Sequence, residues 1–326
     1  MTKLNAMQPL YKRIQKLGYT IPQIKKVLPD WWDDNLANTP AGIQEATLIL
    51  AKRFNVQYSS LLTDTPISQL PIHRFKHSQS IQTEQLTKAV TFSTLASQII
   101  HKGYTKPLAE FQGFTAHSIR ERILENEPWV DFNSLVEFCW DIGIPVVFIE
   151  KMPSPKMQGL ALQEDDRPTI ILTSKRKNGW LVFDLAHELG HIVLGHIDDE
   201  TWVIDEKIDK NDTKDEEQQA NQFAIELLTG KSGITFNDLK LSPKKLADAI
   251  LSHGRNHSID PLHLLLNYGY STDKIPFALK AMPHLLKDLA ITQTDQEICR
   301  TMLFRNIDVS LLDDENALRY LIGVDK

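Results

Sequence analysis

The pattern of apolar and polar residues predicts a chain that is helical toward both ends. From residue 9 to about residue 62, apolar positions three and four apart are interrupted by prolines and glycines, which indicates short helices joined by tight turns. Longer helical patterns cover 86–101, 116–124 and 131–142. The pattern is helical again from residue 242 to residue 326. There, four prolines stand at or near predicted helix starts, where a missing N–H costs no hydrogen bond: Pro243, Pro261, Pro276 and Pro283.

Three β-strand patterns stand close together in the middle of the chain. Short apolar runs bounded by proline, glycine or charged residues occupy 144–149, 158–163 and 168–174. Their short connections favour antiparallel pairing. A small sheet between helical ends predicts an α+β fold.

A strongly apolar helix pattern follows the third strand and carries the candidate chemistry. Residues 181–194 are apolar on nearly every side, as a buried helix must be, so the polar residues within it need a reason to be there. His187 and His191 lie one turn apart on the same face and can bind one metal ion, while Glu188 can act as general base on metal-bound water. This is the zincin motif. Two buried histidines satisfied by backbone carbonyls are the alternative.

A third metal ligand is expected on the next helix, because a catalytic zinc usually has three protein ligands and one open position. The helical pattern over 215–228 has a buried face, formed by Ala220, Phe223, Ala224, Leu227 and Leu228. Glu216 and Glu217 extend this face backwards by one turn, so either carboxylate could point toward the metal helix. Spacing alone leaves both residues open.

Together the two helices resemble the ImmA/IrrE family of metallopeptidases. The resemblance covers about residues 131–228 and rests on two motifs: His-Glu-Leu-Gly-His-Ile-x-Leu-Gly-His at 187–196 and Glu-x-x-Ala-Asn-x-Phe-Ala-x-Glu-Leu-Leu at 217–228. It implies Zn²⁺ bound by His187, His191 and Glu217. Glu188 is the implied catalytic base. The implied core is zincin-like, with a small, mostly antiparallel three-stranded sheet packed on the metal helix and the second ligand helix.

The residues that follow the predicted helix over 215–228 differ from the family's pattern. The family commonly has Met-Pro after the Leu-Leu pair, whereas Thr229 and Gly230 stand here. The exit loop and any substrate contact that it makes are therefore expected to differ.

Other polar residues are candidates for supporting roles. Asp184 could orient an imidazole through its free N–H, or serve only as a favourable charge near the helix N-terminus. His196 follows the natural helix stop Gly195, so a capping or ligand-supporting role is expected rather than metal binding. Asn221 either supports a ligand or is an exposed helix residue. Four downstream residues could donate to the oxyanion, or be ordinary surface or core residues: His253, His257, His263 and Tyr268.

Composition describes an ordinary globular protein. Of 326 residues, 42% are hydrophobic and 24% charged, and no signal-peptide pattern or membrane-spanning apolar run stands out, so a cytoplasmic location and no membrane partner are expected. The net charge of -6 argues against a nonspecific polyanion binder. Cys139 and Cys299 are too few for a disulfide framework and are predicted to be buried thiols. A phosphate-binding glycine loop is not found, so NTPase activity has no support.

Four regions are predicted: a helical module (1–65), a linker rich in Ser, Thr, Gln and Pro (66–85), a zincin-like metallopeptidase domain (86–235) and a helical C-terminal region (236–326). Residues 42–62 resemble the closing helices of phage-repressor-type helix-turn-helix domains. Where such a domain presents its recognition helix, however, this chain has Leu28-Pro-Asp-Trp-Trp-Asp-Asp34, whose acids would repel phosphates. A docking or dimerisation unit is the alternative to DNA binding.

Two functions fit these features. The first is a zinc endopeptidase that cleaves a specific cytoplasmic protein, of which the resemblance implies a repressor or an antitoxin, by Glu188-assisted attack of zinc-bound water. One of the three strands would then bind the substrate backbone as an added strand. The second is a regulator that binds protein or DNA through residues 1–65 and uses the metal fold as a sensor or scaffold.

Overall fold

A computed structural model describes residues 6–63, 66–67, 74–76, 83–153, 158–164, 167–197, 201–205, 215–236 and 241–324. Most of the predicted linker over 66–85 lies outside the described residues, and the four-region division stays a prediction.

Nine α-helices of the described part precede or form the central region: α1 (Met7–Gln15), α2 (Ile21–Lys26), α3 (Pro40–Arg53), α4 (Tyr58–Leu62), α5 (Thr83–Gly103), α6 (Ala116–Leu124), α7 (Phe132–Asp141), α8 (Leu181–Val193) and α9 (Asp215–Thr229). A 3₁₀ helix spans Asp34–Asn38. The helical patterns over 86–101, 116–124, 131–142 and 215–228 are confirmed by α5, α6, α7 and α9. Asp131 caps α7, because its side chain accepts a hydrogen bond from the Ser134 backbone N–H.

The C-terminal region contains five more described α-helices: α10 (Pro243–His257), α11 (Pro261–Ser271), α12 (Ile275–Asp288), α13 (Asp295–Asn306) and α14 (Glu315–Leu321). A second 3₁₀ helix spans Val309–Leu311. Pro243, Pro261 and Pro276 lie in the first turns of their helices, as predicted. The prediction for Pro283 is wrong, since this proline lies inside α12. Burial of the neighbouring Met282 and Leu285 in an apolar cluster offsets the lost backbone hydrogen bond.

The sheet contains the three predicted strands and two more. In the described part, the strands are β1 (Arg74–Lys76), β2 (Val146–Phe148), β3 (Gly159–Glu164), β4 (Arg167–Leu172) and β5 (Thr201–Asp205), in the spatial order β1-β5-β3-β4-β2. The α+β class is thus confirmed, with helical regions on both sides of the sheet along the chain.

Pairing in the sheet is mixed rather than mostly antiparallel. The pairs β3–β4 and β3–β5 are antiparallel, whereas β2–β4 and β1–β5 are parallel. The antiparallel expectation is wrong for β2, because β2 pairs with β4 rather than with β3, its neighbour along the chain. β3 has a partner strand on each side, so among the three predicted strands only β2 lies at an edge of the described sheet. No further strand can therefore add to a side of β3 in the described sheet.

Two apolar clusters hold the described residues together. The larger one joins α1–α9, the strands β2, β3 and β4, and the helices α13 and α14. The smaller one is formed by α10, α11 and α12 with residues next to them in the chain. Tyr19 of the N-terminal module illustrates the continuity of the larger cluster. Its ring lies 4.7 Å from the ring of Phe54 and 5.8 Å from that of Phe92 in α5. The N-terminal module therefore shares its core with the central region.

The acidic segment 28–34 of that module contacts the C-terminal helix α14. The backbone N–H of Asp30 donates to the carbonyl of Asp313 over 3.2 Å, and the Asn316 N–H donates to the Asp30 carboxylate. Arg53 of α3 forms an ion pair with Asp314, which is 2% exposed. The helix-turn-helix resemblance stays a prediction, with this segment engaged by the chain's own C-terminal end.

Cys139 and Cys299 are buried free thiols, as predicted. Among the helices of the described part, none combines the length and the hydropathy needed to cross a membrane.

Candidate metal centre

The two helices that carry the candidate ligands pack closely because small residues face each other between them. A Cβ at Gly190 of α8 would lie 3.3 Å from the α-carbon of Ala220 and 3.1 Å from the ring of Phe223, both in α9. Glycine and alanine thus let the two backbones approach at this level. Since Glu217 lies three residues before Ala220, the close approach brings its carboxylate over the histidine face of α8.

His187, His191 and Glu217 form a cluster that could hold a metal ion, with ligand atoms all within 4.8 Å of one another. The two Nε2 atoms are 3.0 Å apart, and the Glu217 carboxylate oxygens lie 3.4 Å from Nε2 of His187 and 3.6 Å from Nε2 of His191. Zinc bonds of roughly 2.0–2.1 Å in a tetrahedron separate ligand atoms by about 3.3 Å. The three donor atoms therefore fit a zinc site.

The outer nitrogens of both imidazoles have hydrogen-bond partners. Nδ1 of His187 lies 3.1 Å from Oδ1 of Asn221, and Nδ1 of His191 lies 3.0 Å from Nδ1 of His196. Nε2 of His196 in turn lies 3.2 Å from Oε1 of Gln219.

With Oδ1 of Asn221 and Oε1 of Gln219 as the contacting atoms, one set of tautomers satisfies all three rings. An amide oxygen only accepts, so His187 carries its proton on Nδ1. Gln219 likewise requires a proton on Nε2 of His196, which leaves Nδ1 of His196 to accept from Nδ1–H of His191. Both candidate ligands then direct the lone pair of Nε2 at the same point. This is the arrangement by which outer partners orient metal-binding histidines.

Burial and mutual contacts set the charges of this cluster. Burial lowers the pKa of His191 to about 4, and the opposing effect of Glu217 is smaller. Burial would raise the pKa of Glu217, but its close contacts with the imidazoles of His187 and His191 hold it well below its usual range. Neutral imidazole and ionised carboxylate are the forms that bind a metal ion, so at neutral pH these two groups are in the required state.

Glu188 follows His187 on α8 and is 1% exposed. Its side chain contacts the first residue of β3: a Cβ at Gly159 would overlap Oε1 of Glu188 and lie 2.9 Å from Cγ. Only glycine leaves room for the carboxylate at this place. The sheet and the helix together therefore restrict the positions that the Glu188 side chain can take.

The remaining sequence candidates are distributed as follows. Asp184 is 2% exposed and lies 3.9 Å from Nη1 of Arg176. The ring of Phe183 stacks on His187 at 6.5 Å and on His263 at 6.2 Å, so Phe183 lies between His263 and the metal cluster. His253 and His257 stack on each other in α10. Tyr268 is buried in the smaller apolar cluster. The structure thus brings Asn221 and His196 to the ligands, and leaves the oxyanion donor an open prediction.

Two contributors to the site are missing from the sequence interpretation. Gly159 lies in the predicted strand 158–163, whose Gly-Leu-Ala start resembles the ImmA/IrrE family, and the sequence assigns it no contact with Glu188. A glycine at a buried strand start is nevertheless a signal of close approach by another group. Gln219 stands one turn before Phe223 on a polar stretch of α9 and has no local signal, because its role depends on His196.

Two buried histidines one helical turn apart, the glutamate beside the first and a carboxylate on a neighbouring helix form the arrangement of the zincin motif. Residues 141–235 match the Peptidase_M78 family, described as the IrrE N-terminal-like domain. The predicted resemblance to the ImmA/IrrE family is thus confirmed over residues 141–235. A comparison with curated proteins finds no match.

Proposed function

We propose that the protein is a zinc-dependent endopeptidase that cleaves a specific protein. The observation that carries this proposal is the convergence of His187, His191 and Glu217 on one point, with Glu188 beside them on the same helix. The family match over 141–235 supports the same class of reaction.

In this proposal each residue has one task. His187, His191 and Glu217 hold the zinc ion, and the chemistry that bound zinc supplies is polarisation of the scissile carbonyl and acidification of water. Glu188 accepts a proton from the attacking water and returns it to the nitrogen of the scissile peptide bond, so the C–N bond breaks into an amine and a carboxylic acid. Asn221 and His196 keep the ligand imidazoles in the tautomer that leaves Nε2 free.

The proposed substrate is a folded regulatory protein of the repressor or antitoxin kind, in keeping with the family resemblance. The helical regions that flank the metal domain would select it. A regulator that uses the metal fold only as a sensor is the competing function, and it requires no turnover.

A Glu188→Gln variant separates the two functions. Zinc-loaded wild-type protein and the variant are incubated with the proteins encoded by genes adjacent to its own, and new N-termini are identified by mass spectrometry. We expect cleavage by the wild type and a loss of roughly 10²–10⁴-fold in rate for the variant, since it keeps zinc but lacks the general base. Glu216→Gln on α9 is the matched control and should cleave normally. A biological effect that survives Glu188→Gln unchanged would exclude the peptidase function.

A further inference from the structure

A cavity of about 380 Å³ lies between α8, α9 and α11, and the ring of Phe183 forms its wall on the side of His187. Its walls include Trp180 and Phe183 of the α8 region, Ile225 of α9, and Leu266 and Tyr270 of α11. This volume lies within the roughly 300–1,000 Å³ of ligand pockets. The cavity is thus large enough for a bulky side chain together with part of its backbone.

Residues on three elements of the cavity wall are neighbours of the candidate metal centre. Phe183 stands one turn before His187 and stacks on its ring at 6.5 Å. Ile225 stands one turn after Asn221, the partner of His187. Gln158, which also lines the cavity, immediately precedes Gly159, the residue that contacts Glu188. A peptide bound with its scissile bond at the cluster would therefore place a neighbouring side chain at the cavity.

The two charged residues that line the cavity, Arg176 and Asp184, have opposite charges. Arg176 lies 3.9 Å from Asp184 and 5.0 Å above the ring of Trp180, so the charged lining groups oppose each other. His263 forms part of the wall, and its burial lowers its pKa to about 4, which leaves it neutral at physiological pH. A charged side chain would gain no opposite charge there and would lose its hydration. A neutral apolar side chain would gain from burial.

We propose that this cavity is the specificity pocket of the enzyme and receives a large apolar side chain of the substrate, aromatic or branched aliphatic, next to the scissile bond. This inference rests on the proposed peptidase function. It gives the C-terminal region, through α11, a direct role in substrate selection. Ile225, Leu266 and Tyr270 are then specificity-determining residues.

The test uses peptide hydroxamates, which chelate zinc without needing turnover, in a series with Gly, Ala, Leu and Phe side chains. Their affinities for the zinc-loaded full-length protein are measured by calorimetry. Burial is worth roughly fourfold in affinity for each methylene, so we expect the Leu and Phe compounds to bind at least about tenfold more tightly than the Ala compound.

Two variants of α9 show whether the cavity is the cause. Ile225→Trp fills the cavity and should abolish the preference for Leu and Phe, while binding of the Gly compound persists. Gln222→Trp makes a comparable change three residues earlier, outside the cavity lining, and should keep the preference. If Ile225→Trp fails to fold, Tyr270→Ala is the second test. This variant enlarges the cavity and should shift the preference toward larger side chains.

The outcomes distinguish this inference from the proposed function. Equal affinities across the series, or a preference that survives Ile225→Trp, would overturn the pocket assignment and leave the peptidase function standing. No binding by any hydroxamate would overturn it as well. A preference that depends on Ile225 would support the pocket, and the separate cleavage assay with Glu188→Gln tests the peptidase function.

Discussion

The carboxylate of Glu188 packs against the α-carbon of Gly159, so that a single Cβ at position 159 would occupy the place of Oε1. Glu188 belongs to α8, whereas Gly159 begins β3. The proposed catalytic base is thus positioned by the sheet as well as by its own helix.

Gly159→Ala is expected to impair catalysis while sparing the metal site. The added methyl displaces the Glu188 carboxylate, and a shift of about 1 Å in a catalytic group can cost about 10²-fold in rate. Zinc content, measured by plasma mass spectrometry, should stay at the wild-type value because His187, His191 and Glu217 are not touched. Gly233→Ala is the control, since a Cβ there has nothing within 4 Å. Normal cleavage by Gly159→Ala would contradict the assigned packing.

Glu217→Gln is expected to reduce zinc affinity strongly, and Glu216→Gln is not. The Glu217 carboxylate lies 3.4 Å from Nε2 of His187. Glutamine replaces this negatively charged candidate ligand by a neutral amide. We expect a loss beyond the roughly 10–100-fold that removal of an outer partner costs. Competition with a chromogenic chelator measures the affinity. The prediction fails if the two variants bind zinc equally.

Asn221→Ala tests the outer support of the ligands. Its amide oxygen is 3.1 Å from His187 Nδ1, so the variant frees the ring to rotate and to change tautomer. Zinc affinity is expected to fall by about 10–100-fold. Gln222→Ala, whose amide is engaged with Glu226 at 2.6 Å, should bind zinc as the wild type does. An Asn221→Ala protein with undiminished affinity would assign Asn221 to the helix surface alone.

The parts of this molecule that the sequence predicts are those that depend on local spacing. The metal helix is recognisable because His187 and His191 must share a face of any helix. α6, α7 and α9 follow from apolar periodicity. The choice between Glu216 and Glu217 needed the family resemblance, since both lie at the start of the buried face.

The unpredicted parts depend on contacts between distant segments. β5 pairs with β3 although the paired residues lie more than forty positions apart in the chain, and the residues of the two strands do not predict this pairing. Pro283 sits inside α12 because tertiary burial outweighs its helix-breaking tendency. The wall that α11 adds to the cavity is an ordinary apolar face in sequence, so only the fold connects Leu266 with the metal centre.

Arg120→Met is expected to destabilise the fold. The Arg120 guanidinium is buried and donates to the carbonyls of Leu227 at 3.1 Å, Leu228 at 2.9 Å and Ser258, which joins the ends of α9 and α10. Losing these charge-assisted hydrogen bonds should cost about 2–4 kcal/mol of unfolding free energy. Urea unfolding with EDTA present measures it. Arg122→Met, at an exposed arginine of the same helix, should lower the unfolding free energy by less than about 1 kcal/mol. Equal losses would count against this role.

Asp295 is predicted to make stability fall as pH rises from about 4 to about 7. Burial raises the pKa of this carboxyl to about 7, although the backbone N–H of Gly179 opposes the shift. The folded state therefore binds a proton that the unfolded chain, with a pKa near 3.9, releases. The stabilising contribution is complete below about pH 4 and is lost as pH rises through about 7.

The difference in unfolding free energy between the wild type and Asp295→Asn isolates this effect. Asparagine does not titrate, and the contributions of the other titratable groups are the same in both proteins. Between pH 7 and pH 5, the wild type should gain about 2 kcal/mol of unfolding free energy relative to the variant. Urea unfolding at pH 5, 6, 7 and 8 with EDTA present provides the measurement. Asp248→Asn, at an exposed carboxylate 3.5 Å from Lys244, should show a nearly constant difference across the same range. A difference for Asp295→Asn that is constant, or that grows with rising pH, would mean that Asp295 is ionised in the folded protein, held by the N–H of Gly179 at 3.2 Å.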